Sequence, residues 1–313
     1  MNSIATKRIY KDYKKYYDSD LSSLGIYCIM DEEDITVMRA MIVGPKDTPY
    51  EGGCYYFLFK FPKNYPFSPP TVTIETRDRR IRLNPNFYTC GKVCLSILNT
   101  WAGEKWTSAC SLSSVLLTLQ SRFNEYPIIN EPGYEKSGKS QKSLDYNKTI
   151  QWYNIETAVY GSLMKPPPTF ECFYNEARLE FCKNYSSYIK YLTSIYGDDH
   201  KLYKSRIYNC VAQVKPFIFA SMLSNLYEDT YPEYKHLIKE EPEHTEIEPS
   251  STPNTQNTIS NIKKSGITKG TRRVPNEKAT SLEVGTTRKS ETTGAMYIVA
   301  ERSDGRRMWK KID

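Results

Sequence analysis

The stretch LNPNFYTCGKVCLSIL, residues 83–98, places an asparagine and a cysteine in one short, turn-rich segment. Asn86 precedes Cys94 by eight positions, and Pro85 and the glycine at position 91 predict tight turns around them. A cysteine hydrolase needs a base, usually an imidazole, to form its thiolate and to protonate a leaving amine. The histidines of the chain are His200, His236 and His244. The first 199 residues therefore offer this cysteine no imidazole.

A cysteine that only carries an acyl group has simpler needs. It receives the group from one thioester and passes it on, so it needs a donor for the oxyanion that forms when the thioester is attacked. The side-chain amide of Asn86 is such a donor. The segment thus predicts thioester carriage on Cys94. The alternatives are a buried structural cysteine at position 94 and a purely structural turn asparagine at position 86.

Charge is unevenly distributed along the chain. Its 313 residues suffice for one or two domains, and a mean hydropathy of −0.61 indicates that part of the chain is not packed. Residues 261–313 contain 13 Lys and Arg against 6 Asp and Glu, whereas residues 1–260 contain 30 of each. The net charge of +7 therefore belongs to the C-terminal tail.

Several classes of protein are disfavoured. No apolar run approaches the roughly 20 residues of a membrane span, and the first residues lack the apolar core of a secretory signal. We expect an intracellular protein of the cytoplasm, the nucleus or both, in a host cell if the source is viral, with reduced cysteines and no contact with a membrane. Cys90 and Cys94 form a C-x3-C without a second pair, so no metal site is expected.

Residue patterns predict the order of elements. A helix is expected over Ser3–Tyr17, with a basic face that is either solvated or a docking surface. β-branched and aromatic runs separated by turns predict an antiparallel meander. Its strands are expected at Gly25–Met30, Ile35–Val43, Cys54–Phe61 and Thr71–Glu75. Further helices are expected from Ser111 or Ser113 to Phe123, and at Lys142–Leu163, Phe170–Tyr196 and Tyr203–Tyr227, the last kinked or split by Pro216.

The order of these elements and motifs resembles the ubiquitin-conjugating enzymes over about Lys7 to Tyr160. The matching motifs are Lys7-Arg8-Ile9, Gly44-Pro45, Pro49 to Gly53, Tyr65 to Pro70, Asn84-Pro85-Asn86 and Gly91 to Leu98. The likeness is closest to the Z-type class, which has a helical C-terminal extension. The class-specific features are Asn84 to Tyr88, Cys94 to Leu98, Trp101 before Trp106, and Asn130 to Gly133.

The resemblance implies an α+β, UBC-like fold: an N-terminal helix, a four-stranded antiparallel meander, then helices and a helical C-terminal extension. It implies a core domain at 1–163 that carries the active-site cysteine and a helical extension at 164–239. Composition predicts disorder at 240–293, within a basic tail at 240–313. The tail ends in a short apolar and basic segment from Ala295 to Lys311, which is either strand-like or a binding segment.

The resemblance also implies the roles of the site residues. Cys94 would hold the C-terminal glycine of ubiquitin, or of a ubiquitin-like protein, as a thioester. Asn86 would support the loop and stabilise the oxyanion when a lysine attacks, and Glu131 would act as an acidic gate that orients that lysine. An ordinary loop carboxylate is the alternative for Glu131. The residues expected to support the loop are Asn84, Pro85, Tyr88 and Asn130.

The implied partners are a modifier protein, a separate activating enzyme, substrate lysines and a ubiquitin ligase. The activating enzyme consumes the ATP, so no bound cofactor is expected. The residues expected to dock the activating enzyme or a ligase are Lys7, Arg8, Lys11, Pro66, Phe67, Trp106 and Ser108. Three departures from the family matter. Asn84 stands where the family usually has a histidine, and the Z-type class shares this difference, so it does not argue against activity. Ser96 replaces an acid that commonly follows Cys-Leu, and Thr107-Ser108-Ala109 lacks the proline of the usual ligase-docking loop.

Two other functions compete with this interpretation. One is a catalytically inactive adaptor that only binds ubiquitin or a ligase, against which the presence of Cys94 argues. The other is a tether to nucleic acid through the basic tail, because flexible basic segments bind phosphate without sequence specificity. A solvated tail or a nuclear address explains the same charges more simply.

Overall fold

The computed structural model describes residues 4–77 and 81–238, and the backbone of three strands at 287–289, 296–301 and 307–311. The chain divides into two compact units, residues 1–243 and 244–313, and each is described by itself. Within the first unit, helix α1 spans Ile4–Tyr17, as predicted. It buries Ile9 and Tyr16 against the sheet while its lysines stay exposed.

The predicted meander is confirmed. The strands are β1 at Ile26–Met30, β2 at Val37–Val43, β3 at Cys54–Lys60 and β4 at Thr71–Ile74. They form one antiparallel sheet in the order β1-β2-β3-β4, in which Ala40 pairs with Phe57 and Phe57 with Ile74. Phe57 and Phe59 belong to the main core, whereas Tyr56 packs on the other face against Phe170 and Phe173. Both faces of the sheet are therefore covered.

Helix α2 at Leu112–Gln120 begins with a capping box. The Ser111 side chain accepts from the backbone N–H of Ser114, and the Ser114 side chain accepts from the backbone N–H of Ser111. The apolar face of the helix lies in the main core beside the sheet. The predicted face is confirmed, although Phe123 lies beyond the last helical turn.

The helix predicted over 142–163 exists but is not uniform. It begins as α3 at Gln141–Tyr153, widens to π-type turns at Asn154–Gly161 and closes with α4 at Ser162–Met164. Asn154 lies at the start of the wide segment, where its side chain accepts from the Tyr55 hydroxyl at 2.6 Å and donates to the Glu51 carbonyl at 2.9 Å. The next predicted helix is α5 at Tyr174–Ser194. No helix of the described residues is long and apolar enough to cross a bilayer.

The helix predicted over Tyr203–Tyr227 is wrong in its first half. Strand β5 at Leu202–Ser205 pairs antiparallel with β6 at Cys210–Gln213, and helix α6 follows at Pro216–Tyr234. Burial along β6 alternates, which is the period of a strand and not of a helix. Pro216 stands in the first turn of α6, where its missing N–H costs nothing. Of the two effects predicted for it, the structure has the break and not the kink, because the helix begins at this proline. The extension is therefore helical only in part.

In the second unit, β7 at Thr287–Lys289, β8 at Met296–Glu301 and β9 at Arg307–Lys311 form a three-stranded antiparallel sheet. The strand-like character predicted for the end of the chain is confirmed. The disorder predicted over 240–293 is wrong at β7, because that segment pairs with β8. The rest of that predicted segment lies outside the described residues.

Candidate active site

The loop between Asn84 and Cys94, here called the cysteine loop, folds back on itself. Phe87 forms bridges to Asn84 and to Val93, and the Tyr88 N–H donates to the Lys92 carbonyl at 2.9 Å. Gly91 makes the return with a φ of 94°, and an added Cβ would meet the Arg77 guanidinium at 1.8 Å. The Gly91 carbonyl accepts from the N–H of Ile74 at 2.9 Å, which fixes the loop to the end of β4.

Two hydrogen bonds join Asn86 to Cys94. The Asn86 side-chain Nδ2 donates to the Cys94 carbonyl at 2.7 Å, and the Cys94 N–H donates to the Asn86 carbonyl at 2.9 Å. Asn86 is 4% exposed and Cys94 2%. The structure thus places the two predicted residues together, with the Asn86 side chain bonded to the backbone of the cysteine. Its role at the oxyanion stays a prediction.

Asn84 is fully buried and uses both ends of its amide. Its Nδ2 donates to the Tyr50 hydroxyl and to the Arg122 carbonyl, both at 2.9 Å, and its Oδ1 accepts from the Asn86 N–H at 2.9 Å. Asn130 donates to the same Arg122 carbonyl at 3.2 Å. Asn84 therefore ties the cysteine loop to the residues just beyond α2, and Asn130 bonds to the same carbonyl from outside the loop. The supporting roles predicted for the two asparagines stay predictions.

The residues that follow Cys94 are fixed by a threonine. The Thr100 hydroxyl accepts from the Leu95 N–H at 2.9 Å and donates to the Val93 carbonyl at 2.9 Å. The cysteine backbone is thus held from both sides. Only 2% of Cys94 is exposed, so an acyl donor must approach its thiol along a restricted path.

Glu131 is held by two side chains. The Tyr208 hydroxyl donates to its Oε2 at 2.5 Å, and the Arg82 Nη2 lies 4.0 Å from the same oxygen. Arg82 also donates to the Pro85 carbonyl in the cysteine loop. Glu131 is therefore joined to the loop through a guanidinium, and its carboxylate remains partly exposed at 27%.

The guanidinium of Arg82 lies between two aromatic rings. It is 3.7 Å from the ring centroid of Tyr88 and 4.3 Å from that of Tyr208. Burial, and then the hydrogen bond to Glu131, raise the pKa of Tyr208, so this phenol stays protonated and donates. Sequence reasoning missed Arg82 and Tyr208. Arg82 stands directly before the diagnostic stretch and could have been noticed, whereas Tyr208 lies in the extension, where no local pattern indicates a site.

The residues predicted to dock partners fall into two groups. Arg8 donates to the Ser108 and Cys110 carbonyls at 2.8 and 2.6 Å, and Trp106 donates its Nε1 to the Pro66 carbonyl at 2.6 Å. Pro66 and Trp106 are buried, so the docking role predicted for them is corrected. Their hydrogen bond joins the segments that carry the exposed Phe67 and Ser108. The members that present exposed side chains are Lys7, Lys11, Phe67 and Ser108.

Comparison with known proteins gives this geometry a context. The family profile described as ubiquitin-conjugating enzyme matches residues 8–154. Ubiquitin-conjugating enzyme E2 Z of Xenopus tropicalis is 49% identical over 136 residues, which are 43% of this chain and 44% of that protein. The E2 Z of Danio rerio is 42% identical over 165 residues, 52% of this chain and 50% of its own length. A solved E2 domain of a Toxoplasma gondii ubiquitin-conjugating enzyme is 28% identical and covers 49% of this chain and 97% of that one, with a TM-score of 0.38.

Residues 8–154, just under half of the chain, therefore match a domain of the ubiquitin-conjugating enzyme family. Within the family it is similar to the Z type, and the family and class predicted from the motifs are confirmed. The chain spans about half the length of these E2 Z relatives. A protein named probable ubiquitin-conjugating enzyme protein 17 of Caenorhabditis elegans is 32% identical over 235 residues, 71% of this chain, so similarity extends beyond the matched domain.

Proposed function

We propose that this chain accepts ubiquitin, or a ubiquitin-like protein, as a thioester on Cys94 and transfers it to a lysine. In the loading step the Cys94 thiolate attacks the carbonyl carbon of the thioester on the activating enzyme, and the thiolate of that enzyme leaves. In the transfer step a lysine amine attacks the Cys94 thioester, the Cys94 thiolate leaves and the amine loses a proton. No imidazole is needed, because the acyl group arrives already activated.

The observation that carries this proposal is the pair of hydrogen bonds between Asn86 and Cys94. They fix the backbone of the nucleophile inside a loop that matches the family motif. The same amide has a second N–H, which is the donor proposed for the oxyanion during transfer. Removal of one such donor in other enzymes slows the reaction by roughly 100-fold to 1,000-fold.

Glu131 is proposed to receive the attacking lysine. Its carboxylate is partly exposed, and it is joined through Arg82 to the Pro85 carbonyl next to Asn86. Such a carboxylate orients an ammonium group and accepts a proton as the amine attacks. Because position 96 is a serine, Glu131 is the acid proposed for this step.

The partners proposed for these steps are a separate activating enzyme, which consumes ATP, and a ligase. The exposed side chains of Lys7, Lys11 and Phe67 form the surface proposed for them, with Phe67 69% exposed. The loop at Ser108 contributes backbone that Arg8 already fixes. The expectation of a nuclear or cytoplasmic location, and the absence of a bound cofactor, stay predictions.

The decisive experiment is a loading assay. The full chain is incubated with activating enzyme, ATP and tagged ubiquitin, and the products are separated on a non-reducing gel. We expect an adduct that thiol reductants remove, that becomes resistant to reductants in Cys94→Ser and that disappears in Cys94→Ala. The matched control is Cys90→Ala, which removes an exposed thiol in the same loop. An unchanged adduct in Cys94→Ala would contradict the assignment.

A second assay tests Glu131. The loaded enzyme is mixed with free lysine, and loss of the thioester is followed with time. Glu131→Ala should slow this discharge more than it slows loading. Equal effects on both steps would remove the role proposed for this carboxylate.

A further inference from the structure

The turn of the hairpin in the extension holds a tyrosine in an unusual backbone conformation. Tyr208 has φ 54° and ψ 17°, and the next residue, Asn209, has φ 51°. Asparagine tolerates the left-handed region, whereas a residue with a bulky side chain is strained there. Such strain persists only where surrounding contacts hold it, and it is concentrated at functional sites.

Three contacts hold the Tyr208 side chain. Its ring lies over the Arg82 guanidinium at 4.3 Å and edge-on to the Tyr146 ring at 5.7 Å. Its hydroxyl donates to Glu131 Oε2. Tyr146 in turn donates its own hydroxyl to the Arg82 carbonyl at 2.7 Å. The strained residue thus lies at the centre of a network that ends on a residue of the proposed site.

The hairpin that presents Tyr208 is itself firmly attached. The Tyr153 hydroxyl of α3 donates to the Val211 carbonyl at 2.8 Å, and the Ile207 N–H donates to the Ser205 hydroxyl at 3.1 Å. Ile207 and Cys210, on either side of the strained pair, are buried. The Tyr208 phenol therefore projects from a hairpin that is bonded to α3 and partly buried, and not from a free loop.

We propose that Tyr208 is a positioning residue for the lysine-transfer step, through which the C-terminal extension sets the orientation of Glu131. This inference rests on the proposed function. Among the residues that the structure describes, the contacts from Tyr208 and Arg82 both fall on Oε2, so Oε1 is the oxygen proposed to meet the incoming amine. A carboxylate held in one orientation has less freedom to lose when the lysine arrives, which favours the reactive geometry.

The same arrangement makes the effect specific to one step. Loading requires the Cys94 thiolate and the thioester of the activating enzyme, and no amine has to be oriented. Transfer requires the amine to approach the thioester beside Glu131. Loss of the phenol should therefore slow transfer about tenfold, the equivalent of one hydrogen bond to a charged group, and leave loading unchanged.

The test is a single-turnover discharge of the full chain. The enzyme is loaded with activating enzyme, ATP and tagged ubiquitin, loading is stopped, and free lysine is added at a saturating concentration. Tyr208→Phe keeps the ring over Arg82 and removes only the hydroxyl. The matched control is Tyr203→Phe, which removes a hydroxyl from the same hairpin that donates to Asp198 at 2.8 Å. We expect a discharge rate about tenfold lower in Tyr208→Phe and an unchanged rate in Tyr203→Phe.

A double-mutant cycle separates positioning from a general structural role. If Tyr208 acts through Glu131, adding Tyr208→Phe to Glu131→Ala should slow discharge no further. The inference would be overturned if the double variant discharged more slowly than Glu131→Ala alone, by the factor seen for Tyr208→Phe. It would also be overturned if Tyr208→Phe discharged at the normal rate. Failure of the unaltered chain to form any thioester would reject the proposed function and this inference with it. A thioester that Tyr208→Phe discharges at the normal rate would reject this inference alone.

Discussion

The cysteine loop at residues 84–94 and the hairpin at residues 202–213 both contribute to one site but are held by different interactions. The loop depends on buried amide groups, because Asn84 and Asn86 each bond to backbone within or next to it. The hairpin depends on aromatic contacts, because Tyr208 packs on Arg82 and Tyr146. Hydrogen bonds of two buried side-chain amides hold the loop, whereas packing of an aromatic ring on a guanidinium and on a second ring holds the tip of the hairpin.

Alkaline pH should destabilise both regions, and we expect it to lower the free energy of unfolding more than any of the substitutions below. Burial raises the pKa of Tyr50 beside the loop and of Tyr146 beside the hairpin well above the ordinary value of about 10. Above that value the unfolded chain loses phenolic protons that the folded chain retains. The free energy of unfolding should therefore fall as pH rises, by about 1.4 kcal/mol per pH unit for each such tyrosine.

The measurement is urea unfolding at a series of alkaline pH values, with phenolate absorbance recorded in parallel. The buried rings should ionise only with loss of structure. Full phenolate absorbance in a protein that is still folded would contradict the prediction. If the two regions open at different pH values, their interactions are less coupled than the shared Arg82 implies.

Asn84→Ala should destabilise the cysteine loop and give the second largest loss of stability. The change leaves the Tyr50 hydroxyl, the Arg122 carbonyl and the Asn86 N–H without their amide partner in a fully buried position. Buried groups that lose their partners cost about 1–3 kcal/mol each, partly offset by relaxation. We expect a loss of about 3 kcal/mol in the free energy of unfolding, measured by urea denaturation.

The control for this variant is Asn64→Ala. Asn64 is exposed and donates to the Ser68 hydroxyl on the surface, so its removal should cost well under about 0.5 kcal/mol. Equal costs for the two variants would show that burial of the amide does not hold the cysteine loop.

The two regions also differ in how far sequence could predict them. The strands of the meander alternate or are continuously apolar between clear turns, and Asn84, Pro85, Asn86 and Cys94 stand in one short motif, so this half could be predicted. The hairpin could not. Its strands have only four residues each and lie between helices, and the tyrosines at 203 and 208 are five positions apart, a spacing that matches neither the helical nor the strand period.

The same reason explains which part of the site was missed. Glu131 is predicted through the family resemblance, which has an acidic gate at this position, but its two partners come from different parts of the chain. Tyr208 follows Glu131 by 77 positions, and nothing in the residues between them indicates a contact. Pairing of distant side chains is decided by packing, which local patterns do not contain.

Arg82→Met tests the residue that joins the two regions. Methionine keeps much of the apolar stem but removes the donor to the Pro85 carbonyl and the charge between the Tyr88 and Tyr208 rings. The loss of stability should be smaller than these contacts suggest, because the buried Nε of Arg82 has no hydrogen-bond partner among the described residues and its removal costs no bond. We expect a cost of about 2 kcal/mol in the free energy of unfolding and slower discharge of the thioester.

The control for this charge is Arg206→Met, which removes an exposed guanidinium from the hairpin turn itself. It should change the free energy of unfolding by less than about 0.5 kcal/mol. A similar loss in both variants would mean that net charge matters and the Arg82 stack does not.

Tyr153→Phe should have the smallest effect and addresses the hairpin alone. It removes the hydroxyl that donates to the Val211 carbonyl at 2.8 Å, while the ring stays in the core. One hydrogen bond of this kind contributes about 1 kcal/mol. Amide hydrogen exchange should accelerate in residues 202–213 by about fivefold and stay unchanged in β2 and β3. Faster exchange across the sheet as well would show that the hairpin and the core open as one unit, and that the hairpin has no independent stability.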